Sequence, residues 1–210
     1  MIKSILPFLS YIFLLGCSSV AQDASDCLAT HVLYVEEQTR QFSSVRESPL
    51  KEEDIDRFEQ LNYYPYDERY CVEAKWIRTP NEEPFEMATS TDRLPVYVKY
   101  GELHFMIEEE DLVLSVYQNV ELSKEEEYKD YLFIPFNDLT NGVTSYGGGR
   151  YFDIRTPEGN SILIDLNNTY HPYCAYNPKY SCPIPPEENV LDMAIEAGVM
   201  SGINGEKGEK

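Results

Sequence analysis

Two clusters in the second half of the chain hold the residue types best suited to chemistry. The first begins at Tyr146 and runs through three glycines to Arg150, Tyr151 and Asp153. Glycines let backbone amides approach a ligand closely, and the neighbouring guanidinium suits an anionic group. No Lys-Ser or Lys-Thr pair follows, and the next segment has the pattern of a strand, so the cluster is not a phosphate-binding loop. A strained β turn is the structural alternative.

The second cluster occupies residues 165–189, which is a long stretch for a loop without secondary structure. Long loops inside compact domains are usually functional or held by cross-links. Its tyrosines and rigid prolines suit the wall of a pocket, and simple packing is the alternative. Across both clusters, the predicted ligand-binding residues are Tyr146, Arg150, Asp153, Asn167, Tyr170, Tyr176, Glu188 and Asn189.

Binding of a small ligand or glycan by these residues is the function we favour, and two other functions stay open. One is hydrolysis, with Asp153 or Glu188 as the catalytic acid or base and Arg150 holding an anionic group. The chain has 37 Asp and Glu residues, so pairs of carboxylates are expected by chance. The other is a structural scaffold in a complex of the cell envelope.

Neither a metal nor a cofactor is predicted. His171, Cys174 and Cys182 could supply soft ligands, but their spacing matches no standard zinc pattern. A Cys174 nucleophile activated by His171 or His104 is chemically allowed, yet no catalytic signature surrounds it.

The first residues predict export and lipid attachment. Lys3 precedes an apolar run that ends in Leu-Leu-Gly-Cys at Cys17. The run is too short to cross a bilayer core of roughly 30 Å, so residues 1–16 are predicted to be a signal peptide. Acyl chains such as palmitate on Cys17 would anchor the chain to a membrane. Cleavage after Ala21 by an ordinary signal peptidase is the alternative, and Ser18 after the lipidated cysteine favours the outer membrane, facing the periplasm.

The net charge and the cysteine content restrict the possible partners and the possible disulfides of the chain. The formal net charge is −20 at pH 7, which is too acidic for a phosphate backbone, so nucleic acid is not an expected partner. Beyond Cys17 four cysteines remain, an even number in a chain bound for an oxidising compartment. Three pairings are possible, and proximity favours Cys174 with Cys182, which leaves Cys27 for Cys71.

The elements that must position the clusters begin with helices. A tether, a single globular domain and a disordered tail are predicted at residues 17–26, 27–200 and 201–210. Apolar residues at helical spacing predict an amphipathic helix over 28–46, whose inner face is Leu28, Val32, Val35 and Phe42. A second, short helix is predicted between Ser48 and about Leu61.

Beyond Tyr63 the apolar period changes to two, so the body of the domain is predicted to be β. The candidate strands are residues 69–78, 84–90, 95–100, 102–108, 112–118, 131–135, 150–155 and 161–166, with a turn at 109–111. Alternation of Leu191, Met193 and Ile195 favours another strand at 191–196, and the chain after Gly198 is predicted to fray. The expected fold is α+β, with two short N-terminal helices packed on a mostly antiparallel β sandwich or partial barrel.

Both clusters also carry a pattern of residue types that is shared with a known family. The shared positions are Tyr146 to Arg150, Tyr151, Asp153, Asn167, Tyr170, Pro172, Cys174 to Pro178, Cys182, Pro183, Pro185, Pro186, Glu188 and Asn189. Further upstream, the stretches Ser48 to Leu50 and Tyr64-Pro65 also fit the pattern of this family. Residues 30–200 therefore resemble the domain of unknown function 1684. The resemblance implies one compact domain, often in bacterial envelope proteins, and brings no activity, substrate or cofactor.

The resemblance also bears on three individual residues. Similar proteins without leaders keep both late cysteines, which favours a pocket role for Cys174 and Cys182 over a disulfide. Glu196 stands where the family pattern has a basic residue, so the resemblance implies that an anion contact is lost here.

Overall fold

The computed structural model describes residues 18–203, with side chains from Cys27 to Gly202. The predicted signal peptide at residues 1–16, the lipid site at Cys17 and most of the predicted tail lie outside the described residues. Within residues 18–203, no helix combines the length and apolar character that crossing a membrane requires.

The N-terminal part forms one long helix and one short helical turn. Helix α1 spans Ser18–Ser43 and helix α2 spans Glu52–Ile55. Helix α1 therefore starts ten residues before the predicted position and includes residues that we expected to be a tether. Helix α2 is a single turn with no buried residue, so a second packed helix is not confirmed.

The inner face of α1 is the predicted one only at Phe42. Leu28 and Val32 are 46% and 48% exposed, whereas Cys27, His31 and Phe42 are buried. Together with the half-buried Tyr34 and Gln38, the buried residues recur every three or four positions, which is the spacing of one helical face. The face that packs on the domain is thus a stripe of polar and aromatic residues rather than an aliphatic one.

Within residues 18–203, nine β strands follow the helices. They are β1 (Leu61–Tyr63), β2 (Cys71–Arg78), β3 (Phe85–Glu86), β4 (Val96–Ile107), β5 (Glu110–Asn119), β6 (Tyr131–Phe136), β7 (Arg150–Arg155), β8 (Ser161–Asp165) and β9 (Val199–Ile203). One seven-stranded sheet has the order β7-β6-β5-β4-β2-β8 with β3 beside β4, and every pairing in it is antiparallel. Strands β1 and β9 form a separate antiparallel pair. The domain is therefore mostly β, with a curled, half-barrel sheet and few helices.

The sheet is buried on both faces in its central part. Leu132, Ile134 and Phe136 of β6 point into the main core, while Phe133 between them belongs to an aromatic cluster on the other face. This alternation follows from the two-residue period of a strand. It places a row of rings opposite the aliphatic core, and α1 lies on the side of the rings.

A β-bulge in β4 decides which face Tyr97 joins. The pairing with β5 shifts register between Lys99 and Gly101, so β4 contains one extra residue there and replaces two separate predicted strands. An extra residue changes the face to which later side chains point. Leu103 consequently faces the main core, while Tyr97 joins the aromatic cluster.

The C-terminal segment differs from its prediction. Residues 191–196 form no strand, although Leu191 and Ile195 are buried in the main core. The segment lies extended along residues 137–139, where Leu191 N–H donates to the Asn137 carbonyl at 2.8 Å. An extended chain held by a loop shows the same alternation as a strand, so the alternation did not distinguish the two. Strand β9 instead forms after Gly198, in the stretch that we predicted to fray.

A disulfide joins α1 to the sheet. Cys27 in α1 is bonded to Cys71 at the start of β2, as the sequence led us to expect. The two cysteines are separated by 44 residues, so the bond closes a long loop. It also fixes the position of α1 along the helix axis relative to the aromatic face of the sheet.

Replacing Cys27 and Cys71 together by serine is expected to lower the free energy of unfolding by about 2–4 kcal/mol, because the open chain gains entropy on unfolding. Urea unfolding in non-reducing buffer measures the change. Cys174→Ser is the matched control, since Cys174 is a free thiol and its loss should have a smaller effect. An unchanged unfolding midpoint in the double variant would contradict the role of the disulfide.

Candidate functional site

A cavity of about 470 Å³ lies between α1, the aromatic face of the sheet and the segment after β8. A larger and more open depression of about 700 Å³ crosses β2, β4 and β5, and its wall includes the exposed Lys75, Met106 and Val113. Its polar groups, such as the ammonium of Lys75, are exposed to water and need no ligand as a partner. The smaller cavity contains buried polar groups, and we therefore take it as the candidate site.

The sheet supplies a wall of rings and one carboxylate. Tyr97, Tyr131, Phe133 and Tyr151 line the cavity together with Asp153. Phe133 of β6 pairs directly with Asp153 of β7, so both point to the same face of the sheet. The rings of Phe133 and Tyr151 are 4.7 Å apart and nearly perpendicular, with an interplanar angle of 77°.

The segment after β8 supplies the opposite wall with Tyr170, Tyr173 and Tyr180. It is fixed to β7 because Tyr151 and Tyr170 exchange two backbone hydrogen bonds of 2.9 Å. The hydroxyl of Tyr151 also donates to the carbonyl of Pro183, which anchors the far end of the segment. The long loop is thus held by the sheet and forms a wall of the cavity, as its prolines and tyrosines suggested.

Helix α1 supplies the third wall through Tyr34 and Gln38, which sequence reasoning missed. The hydroxyl of Tyr34 is buried and has no hydrogen-bond partner among the described residues. Burial raises the pKa of Tyr34 well above its ordinary value, and Tyr63 and Asp153 nearby add to the effect. The helical spacing of Cys27, His31, Tyr34, Gln38 and Phe42 was the signal that could have identified this face.

Asp153 is the charged group of the cavity. Each carboxylate oxygen accepts a hydrogen bond of 2.6 Å, one from the hydroxyl of Tyr131 and one from that of Tyr170. Water reaches the side chain, but the surrounding rings confine it, and this loss of solvation raises the pKa of Asp153. The two tyrosine bonds act in the opposite direction and only partly offset it.

Arg150 does not line the cavity. Its side chain is fully buried, with Nη2 at 2.7 Å from an Asp138 carboxylate oxygen and 2.7 Å from the Ile195 carbonyl oxygen. Nη1 donates to the carbonyl of Ala197. Two of the three guanidinium nitrogens are thus engaged inside the protein, and Nε is buried without a partner among the described residues. Because the whole group is buried away from the cavity, the structure gives no basis for the predicted anion contact.

The glycines before Arg150 form a turn. Gly149 has a φ of +89°, and a Cβ there would come within 2.7 Å of the Phe136 carbonyl oxygen and of Pro185. Only glycine tolerates both conditions. The structural alternative for the first cluster, a strained turn, is therefore the one observed.

Besides Arg150 and Tyr176, four other predicted residues have structural partners and lie outside the cavity lining. The side chain of Asn189 bonds Ser115 and the Pro135 carbonyl, with distances of 2.7–2.8 Å. The side-chain amide of Asn167 accepts a hydrogen bond from the backbone N–H of Asp67 and donates one to the carbonyl oxygen of Asp67. Glu188 accepts a 2.7 Å bond from the hydroxyl of Tyr117.

The fourth such residue is Tyr146, whose backbone N–H donates to Nε2 of His171 at 3.1 Å. Burial lowers the pKa of His171 to about 3, so the imidazole is neutral and able to accept. Tyr146 and Tyr176 line a separate depression of about 340 Å³ beside α2. Of the eight predicted ligand-binding residues, Asp153 and Tyr170 are the two that line the aromatic cavity.

Cys174 and Cys182 are free thiols rather than the disulfide that sequence proximity favoured. The backbone N–H of Cys174 points to the sulfur of Cys182 at 3.2 Å. The Cys182 thiol lowers the pKa of Cys174 to about 6 by donating a hydrogen bond to it. No group of three potential metal ligands is present within the described part of the chain.

Comparison with known proteins places this geometry in a family. The family model described as "Protein of unknown function (DUF1684)" matches residues 56–200. The chain belongs to this family. An uncharacterised protein of Haloarcula marismortui, whose structure was solved by NMR in solution, is 34% identical in sequence to this chain. The two structures match with a TM-score of 0.67, and the match covers 86% of this chain and 97% of the Haloarcula protein. A search of curated proteins found no match.

For this DUF1684 protein we expect Asp153→Asn to be at least as stable as the native chain at pH 7. The pKa of Asp153 is raised on folding, so its ionisation opposes folding above that pKa, and the opposition disappears as the pH falls through it. The difference between variant and native chain should therefore shrink at acidic pH. Urea unfolding across a pH series measures it.

Asp130→Asn is the matched control, because a hydrogen bond from Arg155 lowers the pKa of Asp130. This variant should lose stability at neutral pH, and the loss should vanish as the pH falls through that lowered pKa. If Asp153→Asn loses as much stability at pH 7 as Asp130→Asn does, folding does not raise the pKa of Asp153.

Proposed function

We propose that this chain is a lipid-anchored envelope protein that binds a small ligand in the tyrosine-lined cavity. The observation that carries the proposal is the hydroxyl of Tyr34, a residue of the cavity wall, because this hydroxyl is buried and finds no partner among the described residues. Buried polar groups are nearly always hydrogen-bonded, and leaving one unpaired costs about 1–3 kcal/mol. A ligand that bonds this hydroxyl would remove that cost on binding.

The size and lining of the cavity support a small molecule. Its volume of about 470 Å³ lies in the range of roughly 300–1,000 Å³ that is usual for small-molecule sites. Such sites combine mostly apolar walls with a few polar groups that orient the ligand. Here tyrosine rings form the walls, and Asp153 and Tyr34 are the orienting groups.

Binding is better supported than hydrolysis. An acid-base pair needs two carboxylates facing one substrate, commonly about 5–10 Å apart. Asp153 lines the cavity but Glu188 does not, and Arg150 is engaged by Asp138. The constellation that favoured a hydrolase is therefore divided among separate parts of the fold.

The anchor is the second half of the proposal. It is supported by the apolar run that ends at Cys17, which suits a signal peptide with a lipid-modified cysteine. The domain would then face the periplasm from the outer membrane.

Tyr34→Phe should stabilise the unliganded protein by about 1 kcal/mol and weaken ligand binding, because it removes an unpaired buried hydroxyl that the ligand would use. Thermal-shift screening of a library of small metabolites, followed by titration of the hits, measures both effects. Tyr63→Phe is the matched control, since its hydroxyl is also buried and unpaired but does not line the cavity.

Tyr63→Phe should therefore gain stability without any change in affinity. Hits that bind native chain and Tyr34→Phe equally would place the ligand elsewhere. A library without a single hit in the cavity would overturn the proposed function.

Cys17→Ser should abolish acylation and release the protein from the membrane fraction, because the lipid is the proposed attachment. Mass spectrometry of the mature chain and cell fractionation measure the change. A variant that remains in the membrane fraction would refute the anchor and leave the cavity hypothesis unaffected.

A further inference from the structure

We infer that the ligand of the tyrosine-lined cavity is an organic monocation, with an ammonium group seated between Asp153 and the surrounding rings. The inference rests on the proposed function and narrows it to one chemical class. It follows from the charge of the lining, the arrangement of the rings and the state of the tyrosine hydroxyls.

The charge of the lining is negative. Among the described residues that line the cavity, Asp153 is the one Asp or Glu, and none is Lys, Arg or His. Arg155 lies near Asp153 but is paired with Asp130 at 2.7 Å. Arg93 lies at the edge, where it donates to the carbonyl of Ser181 at 2.8 Å. Asp153 thus faces the cavity without a cation of the protein inside it.

The rings meet at angles that form corners. Tyr151 and Tyr170 have centroids 5.8 Å apart and an interplanar angle of 89°. Tyr173 and Tyr180 are 5.3 Å apart at 60°. Rings at steep angles around a small space are the arrangement that surrounds an ammonium group, because the negative face of each ring attracts the cation.

The tyrosine hydroxyls disfavour a neutral sugar. Those of Tyr131 and Tyr170 donate to Asp153, that of Tyr151 donates to Pro183, and that of Tyr173 accepts from Gln41 at 2.8 Å. A sugar needs many polar partners for its own hydroxyls, since each buried one left unpaired weakens binding. Three of these four hydroxyls have already donated their O–H and offer a ligand only lone pairs, which suit the N–H groups of an ammonium better than a sugar, whose hydroxyls also need donors.

The protein as a whole favours the same class. Its net charge of −20 at pH 7 raises the local concentration of cations around the domain. Asp153 accepts from one tyrosine at each oxygen, which leaves further lone pairs for the N–H groups of a ligand. An ammonium that carries N–H groups can also donate to the unpaired oxygen of Tyr34.

The test is calorimetric titration of the purified full-length protein with charged probes and their neutral counterparts. Choline is paired with 3,3-dimethylbutan-1-ol, which has the same shape without the charge, and tyramine is paired with 4-ethylphenol. Maltose represents neutral sugars. At least one ammonium probe should bind about tenfold more tightly than its neutral counterpart, as expected for a desolvated cation among rings beside a carboxylate.

Asp153→Asn should weaken the ammonium probe about tenfold or more and leave the neutral counterpart unchanged. Asp192→Asn is the matched control, because it removes the same charge from an exposed position outside the cavity, and it should change neither affinity. Equal losses in the two variants would show that only the net charge matters, which overturns the inference.

Binding of maltose, of the neutral probes or of an anionic metabolite in preference to the ammonium probes would also overturn the inference. The proposed function would survive that result, because a ligand would still occupy the cavity. Failure of all the ammonium probes overturns the inference as well, and the metabolite screen with Tyr34→Phe then decides the proposed function separately.

Discussion

The buried ion pair between Arg150 and Asp138 holds together the parts of the fold on which the cavity depends. Arg150 starts β7, and its guanidinium bonds the loop after β6 through Asp138 and the C-terminal segment through the carbonyls of Ile195 and Ala197. Isolating a charge from water costs several kcal/mol, which only a good partner and additional hydrogen bonds offset. Because Arg150 has these partners, the start of β7 is fixed in depth and register. Asp153, three residues later on the same strand, is thereby brought to the opposite face.

The two faces of the sheet differ in how their side chains affect the stability of the fold. On the core face, aliphatic and aromatic side chains such as Leu103, Leu114 and Ile134 are fully buried and gain stability from packing. On the cavity face, an ionised Asp153 and an unpaired Tyr34 hydroxyl oppose folding. Proteins commonly keep such unfavourable groups where a ligand uses them, and the stable face compensates. The disulfide between Cys27 and Cys71 belongs to this compensation, since it holds α1 against the less stable face.

Much of the fold was predictable because strands show their period in sequence. The strands from β2 to β8 lie close to predicted positions, and the pairing of Cys27 with Cys71 was correct. The site was less predictable. Arg150 was assigned to a ligand because three glycines precede it and its guanidinium suits an anion, and its partner Asp138 has no distinctive sequence context; a fully buried arginine is rare. Tyr34 was missed because the predicted helical face consisted of strongly apolar residues, whereas the real face also contains Cys27, His31 and Gln38. Strand β9 was missed because its partner β1 is three residues long and gives little periodic signal.

Helix α1 carries both the disulfide and one wall of the cavity. Cys27 and Tyr34 are seven residues apart, which is about 10.5 Å along the helix axis at 1.5 Å per residue. Because the disulfide fixes Cys27 to the start of β2, the helix cannot slide to compensate for a change in this spacing. Each residue turns the helix by about 100°, so inserting or deleting one residue between Cys27 and Tyr34 would point Tyr34 away from the cavity.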